Sequence, residues 1–191
     1  EWLAQKIDQN YFGKIQMIVR PHPQNVTGYM ADKSWIGRLK NLESDNVAVD
    51  WPKMVESNLN WSMQLNDMND FAELLEGCAI SINSGSTVCI DSLLHQKPVI
   101  MTLFDADEKL PWWNSIKRVG EYRHLKNLID SKGIMVSNNY EELSENITRL
   151  LNDPLLHLVE RENITMRECY KNDGQATERV VSAIQTIMDA G

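Results

Sequence analysis

The chain has 191 residues, of which 42% are hydrophobic and 24% are charged, and its formal net charge is −8. This length and composition exclude a disordered or fibrous protein and indicate an ordinary folded domain with a sizeable core. The acidic balance argues against a general nucleic-acid binder, because such proteins need clustered Lys and Arg to displace counterions from phosphates.

Short apolar runs predict five buried strands, at residues 15–19, 47–49, 78–82, 99–103 and 134–136. Helical patterns separate most of them, at about residues 2–12, 30–42, 68–76, 86–95, 121–131, 139–152 and 155–188 with a break. This alternation predicts an α/β fold, a Rossmann-like parallel sheet with helices on both faces. Apolar stripes in residues 139–152 and 174–189 predict that both helices pack on the sheet. Residues 104–120 are expected to form a long loop over the mouth of the sheet.

The chain begins at Glu1 rather than at a Met, so we expect a single domain over residues 1–191 that is a fragment of a longer, two-domain protein. Three cysteines without a CxxC pair favour a reducing compartment such as the cytoplasm. The apolar runs have the length of strands and fall short of the roughly 20 residues of a membrane span. We therefore expect no transmembrane segment.

The first candidate site is the sequence Arg20-Pro21-His22-Pro23, directly after the first predicted strand. The two prolines stiffen the chain as it leaves the sheet, so Arg20 and His22 are expected to point into the crevice where open α/β sheets bind ligands. The alternative is a stiff turn whose Arg and His are solvated or make hydrogen bonds with the backbone.

The second candidate is a run of small polar residues that follows the predicted strand 78–82 and leads into a helix; we name it the 83–87 loop, and it consists of Asn83, Ser84, Gly85, Ser86 and Thr87. Free backbone N–H groups, hydroxyls and a helix N-terminus together can hold a phosphate without metal. Asp91, one helical turn later, could then accept hydrogen bonds from ribose hydroxyls. The alternative is that Ser86 or Thr87 is an ordinary N-cap and Asp91 a first-turn acid.

The third candidate is His124, in the run Glu121-Tyr122-Arg123-His124 at the start of a predicted helix. A histidine here could reach a phosphate or a leaving group, but a solvated helix face explains the same residues. No His or Cys pair stands at a spacing typical of metal ligands, so we expect no metal.

In their order along the chain, these segments resemble the carboxy-terminal, donor-binding domain of GT-B glycosyltransferases. The resemblance rests on Arg-Pro-His-Pro at 20–23, Ser-Ile-Asn-Ser-Gly-Ser-Thr at 81–87, Lys-Pro-Val-Ile at 97–100 and Asp-Gly-Gln-Ala at 173–176. Within that class, the chain most resembles the CDP-glycerol glycerophosphotransferase-like and surface-polysaccharide glycosyltransferase-like proteins. UDP-N-acetylglucosamine 2-epimerases are similar in the same places.

The resemblance implies one half of a GT-B fold, in a transferase that moves a glycosyl or alditol-phosphate group from a UDP- or CDP-linked donor to a surface glycan or glycolipid. Arg20, His22 and His124 would serve catalysis, the 83–87 loop and Asp91 would bind the donor, and no further cofactor is implied. The acceptor would be bound by an amino-terminal domain outside this chain. The implied location is cytoplasmic, including a peripheral one at the inner face of the membrane.

Two alternatives stay open. An epimerase-like enzyme acting on a UDP-sugar would use the same donor site but would need acid and base carboxylates from its other half. A non-catalytic module would use the same nucleotide pocket for sensing or assembly, because a fold does not by itself establish an activity.

Overall fold

The computed structural model describes residues 1–26, 32–55 and 63–190. The architecture is α/β, with two small parallel sheets of two and three strands flanked by helices, and it is compatible with a Rossmann-like fold. Backbone contacts divide the chain into two compact units, Glu1–Leu74 and Leu75–Gly191. These units are contact clusters, and a single domain over residues 1–191 stays a prediction.

The first unit is built on a two-stranded parallel sheet in which Ile18 lies opposite Ala48. Its core consists of Ala4 and Ile7 from the first helix packed on Val47 of the sheet. The elements are α1 (Trp2–Asp8), β1 (Met17–Val19), α2 (Pro23–Val26), α3 (Lys33–Lys40), β2 (Val47–Val49) and most of α4 (Leu65–Gly77).

The second unit is built on a three-stranded parallel sheet in the order β3-β4-β5. The central strand carries Val99, Ile100 and Met101, each at most 1% exposed. Because alternate residues of a strand point to opposite faces, both faces of this sheet are covered. The elements are β3 (Ser81–Asn83), α5 (Val88–Leu94), β4 (Val99–Thr102), a 3-10 helix (Ile116–Glu121), α6 (Arg123–Asp130), β5 (Met135–Ser137), α7 (Tyr140–Asn152), α8 (Leu158–Cys169) and α9 (Ala176–Asp189).

One face of the three-stranded sheet packs on α5, α6 and α8. Two buried hydroxyls lie near this core, and they satisfy each other, because Ser92 Oγ donates to Ser81 Oγ at 2.8 Å. A polar residue in a buried strand is tolerated when it has such a partner. The buried residues of the cluster are Cys89, Leu93, Val99, Met101, Leu103, Leu125, Leu128, Ile134 and Ile164.

The five strands lie where the apolar runs predicted them, with shifts of at most three residues, as in Ser81–Asn83 for the predicted 78–82. Two elements were missed. The supposed stiff turn after β1 contains the short helix α2, and the predicted loop 104–120 contains the 3-10 helix. That 3-10 helix begins where Ser115 Oγ accepts the N–H of Lys117, and a single capping contact leaves no periodic pattern in the sequence.

The prediction that the helices at residues 139–152 and 174–189 both pack on the sheet is right for α7 and wrong for α9. Helix α7 buries Leu143, Ile147 and Leu150, whereas α9 buries none of its residues in the described chain. In α9, Ile184 is 52% and Ile187 is 73% exposed. Periodicity indicates which face of a helix is apolar, but it does not indicate what covers that face.

Candidate functional site

The 83–87 loop lies at the carboxyl edge of the three-stranded sheet. It begins at Asn83, the last residue of β3, and ends directly before α5. Its Ser84 hydroxyl lies 3.0 Å from the hydroxyl of Thr102, which ends β4. The loop is therefore attached to the neighbouring strand at the edge where open α/β sheets bind ligands.

Side chains of the loop accept hydrogen bonds from nearby backbone N–H groups, so these groups are not free to bind a ligand. Asn83 Oδ1 accepts the N–H groups of Gly85 at 3.1 Å and Ser86 at 3.2 Å, and Ser86 Oγ accepts the N–H of Val88 at 3.3 Å. The expectation that these loop amides are free is therefore wrong for Gly85 and Ser86. Thr87 is the N-cap residue of α5, but its side chain makes no capping hydrogen bond. Among the described residues, the N–H groups of Ser84 and Thr87 have no partner.

One donor of the loop is buried and unpaired. Asn83 Nδ2 has no hydrogen-bond partner among the described residues, although Oδ1 of the same amide accepts two backbone N–H groups and the thiol of Cys89 at 3.2 Å. A buried polar atom without a partner is uncommon and costs free energy. An oxygen acceptor that reached this atom would remove that cost.

Gly85 allows the 3-10 helix to pack against the loop. Its φ is +84°, and a Cβ at this position would lie 2.5 Å from Val119 Cγ1 and 3.3 Å from Leu125 Cδ1. Only glycine combines this backbone conformation with so close an approach. This side of Gly85 therefore faces protein, and a ligand would have to reach the loop from the side of Ser84 and Thr87.

Asp91 lies one turn into α5, where its N–H approaches the carbonyl oxygen of Thr87 at 3.4 Å. Partial burial raises the pKa of the Asp91 carboxyl, and His95 acts in the opposite direction. The same carboxylate adds to the raised pKa of the Cys169 thiol, after burial and Glu168. Asp91 is thus near the end of α8, and its contact with a ribose stays a prediction.

In the first unit, Arg20 is held by two carboxylates. Its Nη1 pairs with Asp50, and its Nη2 donates to Asp67 Oδ2 at 2.5 Å. Asp67 is 1% exposed and also accepts the N–H of Lys53 at 2.6 Å. The guanidinium lies 5.2 Å from the ring centroid of Phe71. Two carboxylates on one guanidinium make Arg20 a poor cation for a phosphate, and its catalytic role stays a prediction.

The two acidic partners of Arg20 were not among the predicted site residues. They lie 30 and 47 residues further along the chain, at Asp50 and Asp67. Asp50 directly follows β2, and this position after a strand is the one signal that sequence reasoning could have used. Asp67 lies in the first turn of α4, where an acidic residue is ordinarily explained by the helix dipole.

The two predicted histidines are exposed. His22 Nδ1 accepts the N–H of Gln24 at 3.2 Å, so the neutral ring carries its proton on Nε2. His124 lies in the first turn of α6, and its ring stacks on Tyr122 with 6.1 Å between centroids. His124 belongs to the same unit as the 83–87 loop and Asp91, whereas Arg20 and His22 belong to the first unit. The roles of both histidines stay predictions.

The first unit also contains a pocket of about 330 Å³. It is apolar apart from one lysine, and it includes none of the predicted site residues. Its lining consists of Val26, Ile36, Lys40, Trp51 and Pro52.

Within residues 1–26, 32–55 and 63–190, no group of three or more His, Cys, Asp or Glu side chains is placed to hold a metal ion. Across that same part of the chain, no helix combines the length and the apolar character that crossing a bilayer requires.

A comparison of the chain with protein-family models, curated proteins and solved structures returns no match. The resemblance to the donor-binding domain of GT-B glycosyltransferases therefore stays a prediction that rests on the motifs alone.

Proposed function

We propose that this chain is the donor-binding part of a transferase that moves a glycosyl or alditol-phosphate group from a UDP- or CDP-linked donor to a surface glycan or glycolipid. The proposal is supported above all by the 83–87 loop, which brings exposed Ser84 and Thr87 to the carboxyl edge of a parallel sheet. Nucleotides bind at this edge in open α/β folds, where loop donors meet the phosphates.

In this proposal the diphosphate accepts hydrogen bonds from the N–H groups and hydroxyls of Ser84 and Thr87. Asn83 holds the loop in shape through Gly85 and Ser86 before any ligand arrives, which reduces the ordering cost of binding. Its unpaired Nδ2 is a further donor next to the bound anion. Fixed donors of this kind stabilise the negative charge that develops on a departing nucleotide.

We assign cationic assistance to His124 rather than to Arg20. Arg20 already faces two carboxylates, whereas His124 is exposed in the unit that carries the loop. The catalytic role of His22, which belongs to the first unit, stays a prediction. No metal is needed for this mechanism, because the donors themselves offset the developing charge.

The proposal is tested by titrating the ¹⁵N-labelled chain with UDP, CDP, CMP and GDP and following the backbone amide shifts. At millimolar nucleotide we expect the largest shifts at Ser84 and Thr87. Thr87→Val removes one hydroxyl donor at constant shape and should weaken binding severalfold. Thr177→Val, an exposed threonine of α9, is the matched control and should bind as the unchanged chain does. Absence of shifts with all four nucleotides would count against the proposal.

The ion pairing of Arg20 favours a second candidate, a module that binds nucleotide without catalysing transfer. The two candidates differ in what His124 does. If the domain is catalytic, His124→Ala should lower the transfer rate of the intact protein while nucleotide still shifts Ser84 and Thr87. An unchanged rate together with unchanged shifts would favour the non-catalytic module.

A further inference from the structure

Two adjacent tryptophans, Trp112 and Trp113, are exposed between β4 and the 3-10 helix. They are 52% and 71% exposed, and the nearby Leu110 is 40% exposed. Tryptophan is highly buried on average, because its ring gains most from leaving water. Two exposed tryptophans at consecutive positions are therefore a candidate binding surface.

The turn that carries these rings is held by hydrogen bonds at both ends. Where the two ends of the turn meet, the Asp105 carboxylate accepts hydrogen bonds from the Ser115 hydroxyl at 2.6 Å and from the N–H of Ile116 at 2.8 Å. Within the turn, the carbonyl oxygen of Pro111 accepts the N–H groups of Asn114 at 2.9 Å and Ser115 at 3.0 Å. Rings on a turn that is already ordered lose little conformational entropy when a ligand binds.

This turn belongs to the same sheet edge as the 83–87 loop. It leaves β4 just after Thr102, whose hydroxyl lies 3.0 Å from that of Ser84. It leads into the 3-10 helix, whose Val119 packs on Gly85. A ligand on the two tryptophans would therefore lie in the unit that carries the proposed donor loop.

The charge of the turn selects the class of ligand. Residues 104–115 carry the carboxylates of Asp105, Asp107 and Glu108 and the ammonium of Lys109. Asp105 is already paired with Ser115 and Ile116 and is further offset by Lys117, which leaves Asp107 and Glu108 against Lys109. This acidic excess disfavours phosphates and anionic lipid headgroups, which need basic residues. It suits a neutral ring with an apolar C–H face and peripheral hydroxyls, because indole contacts such a face and carboxylates accept hydrogen bonds from hydroxyls.

We propose that the turn carrying Trp112 and Trp113 binds a neutral saccharide ring by stacking its C–H face on indole. The proposal that the turn binds a saccharide is supported by the exposed rings and the charge of the turn, and it does not depend on the proposed function. The role of that sugar, as part of the acceptor or as the transferred group, rests on the proposed function.

The test uses the 191-residue chain with maltopentaose, cellopentaose and N-acetylchitopentaose as separate probes. We expect saturation transfer from the protein to sugar C–H protons with at least one of them. The double variant Trp112→Ala/Trp113→Ala should bind at least about tenfold more weakly, because each stacked ring contributes a substantial share of the binding free energy. Trp113→Ala alone should show an intermediate loss, and it changes the most exposed ring.

The control is Trp35→Ala, which removes a tryptophan 45% exposed on α3 and should leave saccharide binding unchanged. Absence of transfer with all three probes, or equal transfer from the double variant, would overturn the proposal. Two other results would also overturn it. One is that the chain sediments with phosphatidylcholine vesicles through these tryptophans but binds no saccharide. The other is that the two indoles respond to UDP or CDP alone. Nucleotide shifts at Ser84 and Thr87 report separately on the proposed function, so the two ideas fail independently.

Discussion

At the scale of single residues, Gly85 joins two elements that no local pattern connects. Gly85→Ala places a methyl group against Val119 and imposes a side chain on a φ of +84°. We expect a loss of about 2–5 kcal/mol in unfolding free energy, since the left-handed conformation costs about 1–2 kcal/mol and overpacking about 1–3 kcal/mol. Equilibrium unfolding in urea measures this loss of unfolding free energy.

Two further variants separate these causes. Gly174→Ala has a similar φ of +70° but no atom within 4 Å of the new Cβ, so it should show the conformational cost alone. Val119→Ala in the Gly85→Ala background should recover part of the stability by relieving the clash. Equal losses for Gly85→Ala and Gly174→Ala would contradict the proposed packing.

The ion-pair cluster of Arg20 makes a second prediction at this scale. Asp67→Ala leaves a largely buried guanidinium with one carboxylate and removes the acceptor of the Lys53 N–H. We expect a loss of about 3–5 kcal/mol in unfolding free energy, as for other broken buried pairs. The control is Asp70→Ala, which breaks an exposed pair with Lys53 and should have a much smaller effect. Comparable losses in the two variants would show that burial does not govern this cluster.

At the scale of elements, α7 shows what a strong local signal looks like. Asn139 Oδ1 accepts the N–H of Glu142 at 2.8 Å, and the Glu142 carboxylate accepts the N–H of Asn138 at 2.8 Å. This reciprocal arrangement resembles a capping box, with the carboxylate bound to the residue before the N-cap, and it is encoded within the five consecutive residues 138–142. The apolar stripe alone predicted α7 to within one residue, and the capping contacts agree with that prediction.

The box also predicts a pH dependence. Hydrogen bonds from the backbone and then the side chain of Asn138 hold the pKa of Glu142 below its ordinary 4.5, against a small opposing effect of burial. A lowered folded-state pKa contributes stability above pH 4.5 that is lost as the pH falls through the folded value. Glu142→Gln should therefore lower the melting temperature at pH 7 but lose that effect in strong acid. Glu141→Gln, in the same turn, is the control for the helix dipole, and an equal pH dependence there would refute the capping explanation.

The exposed face of α9 shows the limit of such signals. Its apolar stripe satisfies the same periodicity as that of α7, and yet Val181 is 50% and Ile187 is 73% exposed. The 3-10 helix shows the converse, because it has no periodic pattern and still packs on Gly85 through Val119. A pattern within one segment thus predicts its secondary structure better than its packing.

At the scale of the whole molecule, the two units differ in their cores. Among the described residues, the first has Ala4, Ile7 and Val47 as its buried cluster, whereas the second has a larger one around β4. Stability to local opening follows the amount of buried apolar contact. We expect amides of Met17–Val19 and Val47–Val49 to exchange with deuterium before those of Val99–Thr102.

Hydrogen exchange read by mass spectrometry measures this order. Val47→Ala should speed exchange in the first unit, because it removes apolar contacts from the smaller core. Val99→Ala, a buried valine of β4, is the matched change in the second unit. Exchange of all three strands at one common rate would contradict the expected order.

The sequence by itself determined the fold class, the position of every described strand and the placement of the 83–87 loop after a strand, because each depends on residues that are neighbours in the chain. Only the tertiary structure decided that Arg20 is held by Asp50 and Asp67, that Gly85 lies beneath Val119 and that no described segment covers α9. The physical reason is that such contacts join residues dozens of positions apart, and periodicity and turn chemistry carry no information about which distant surfaces meet.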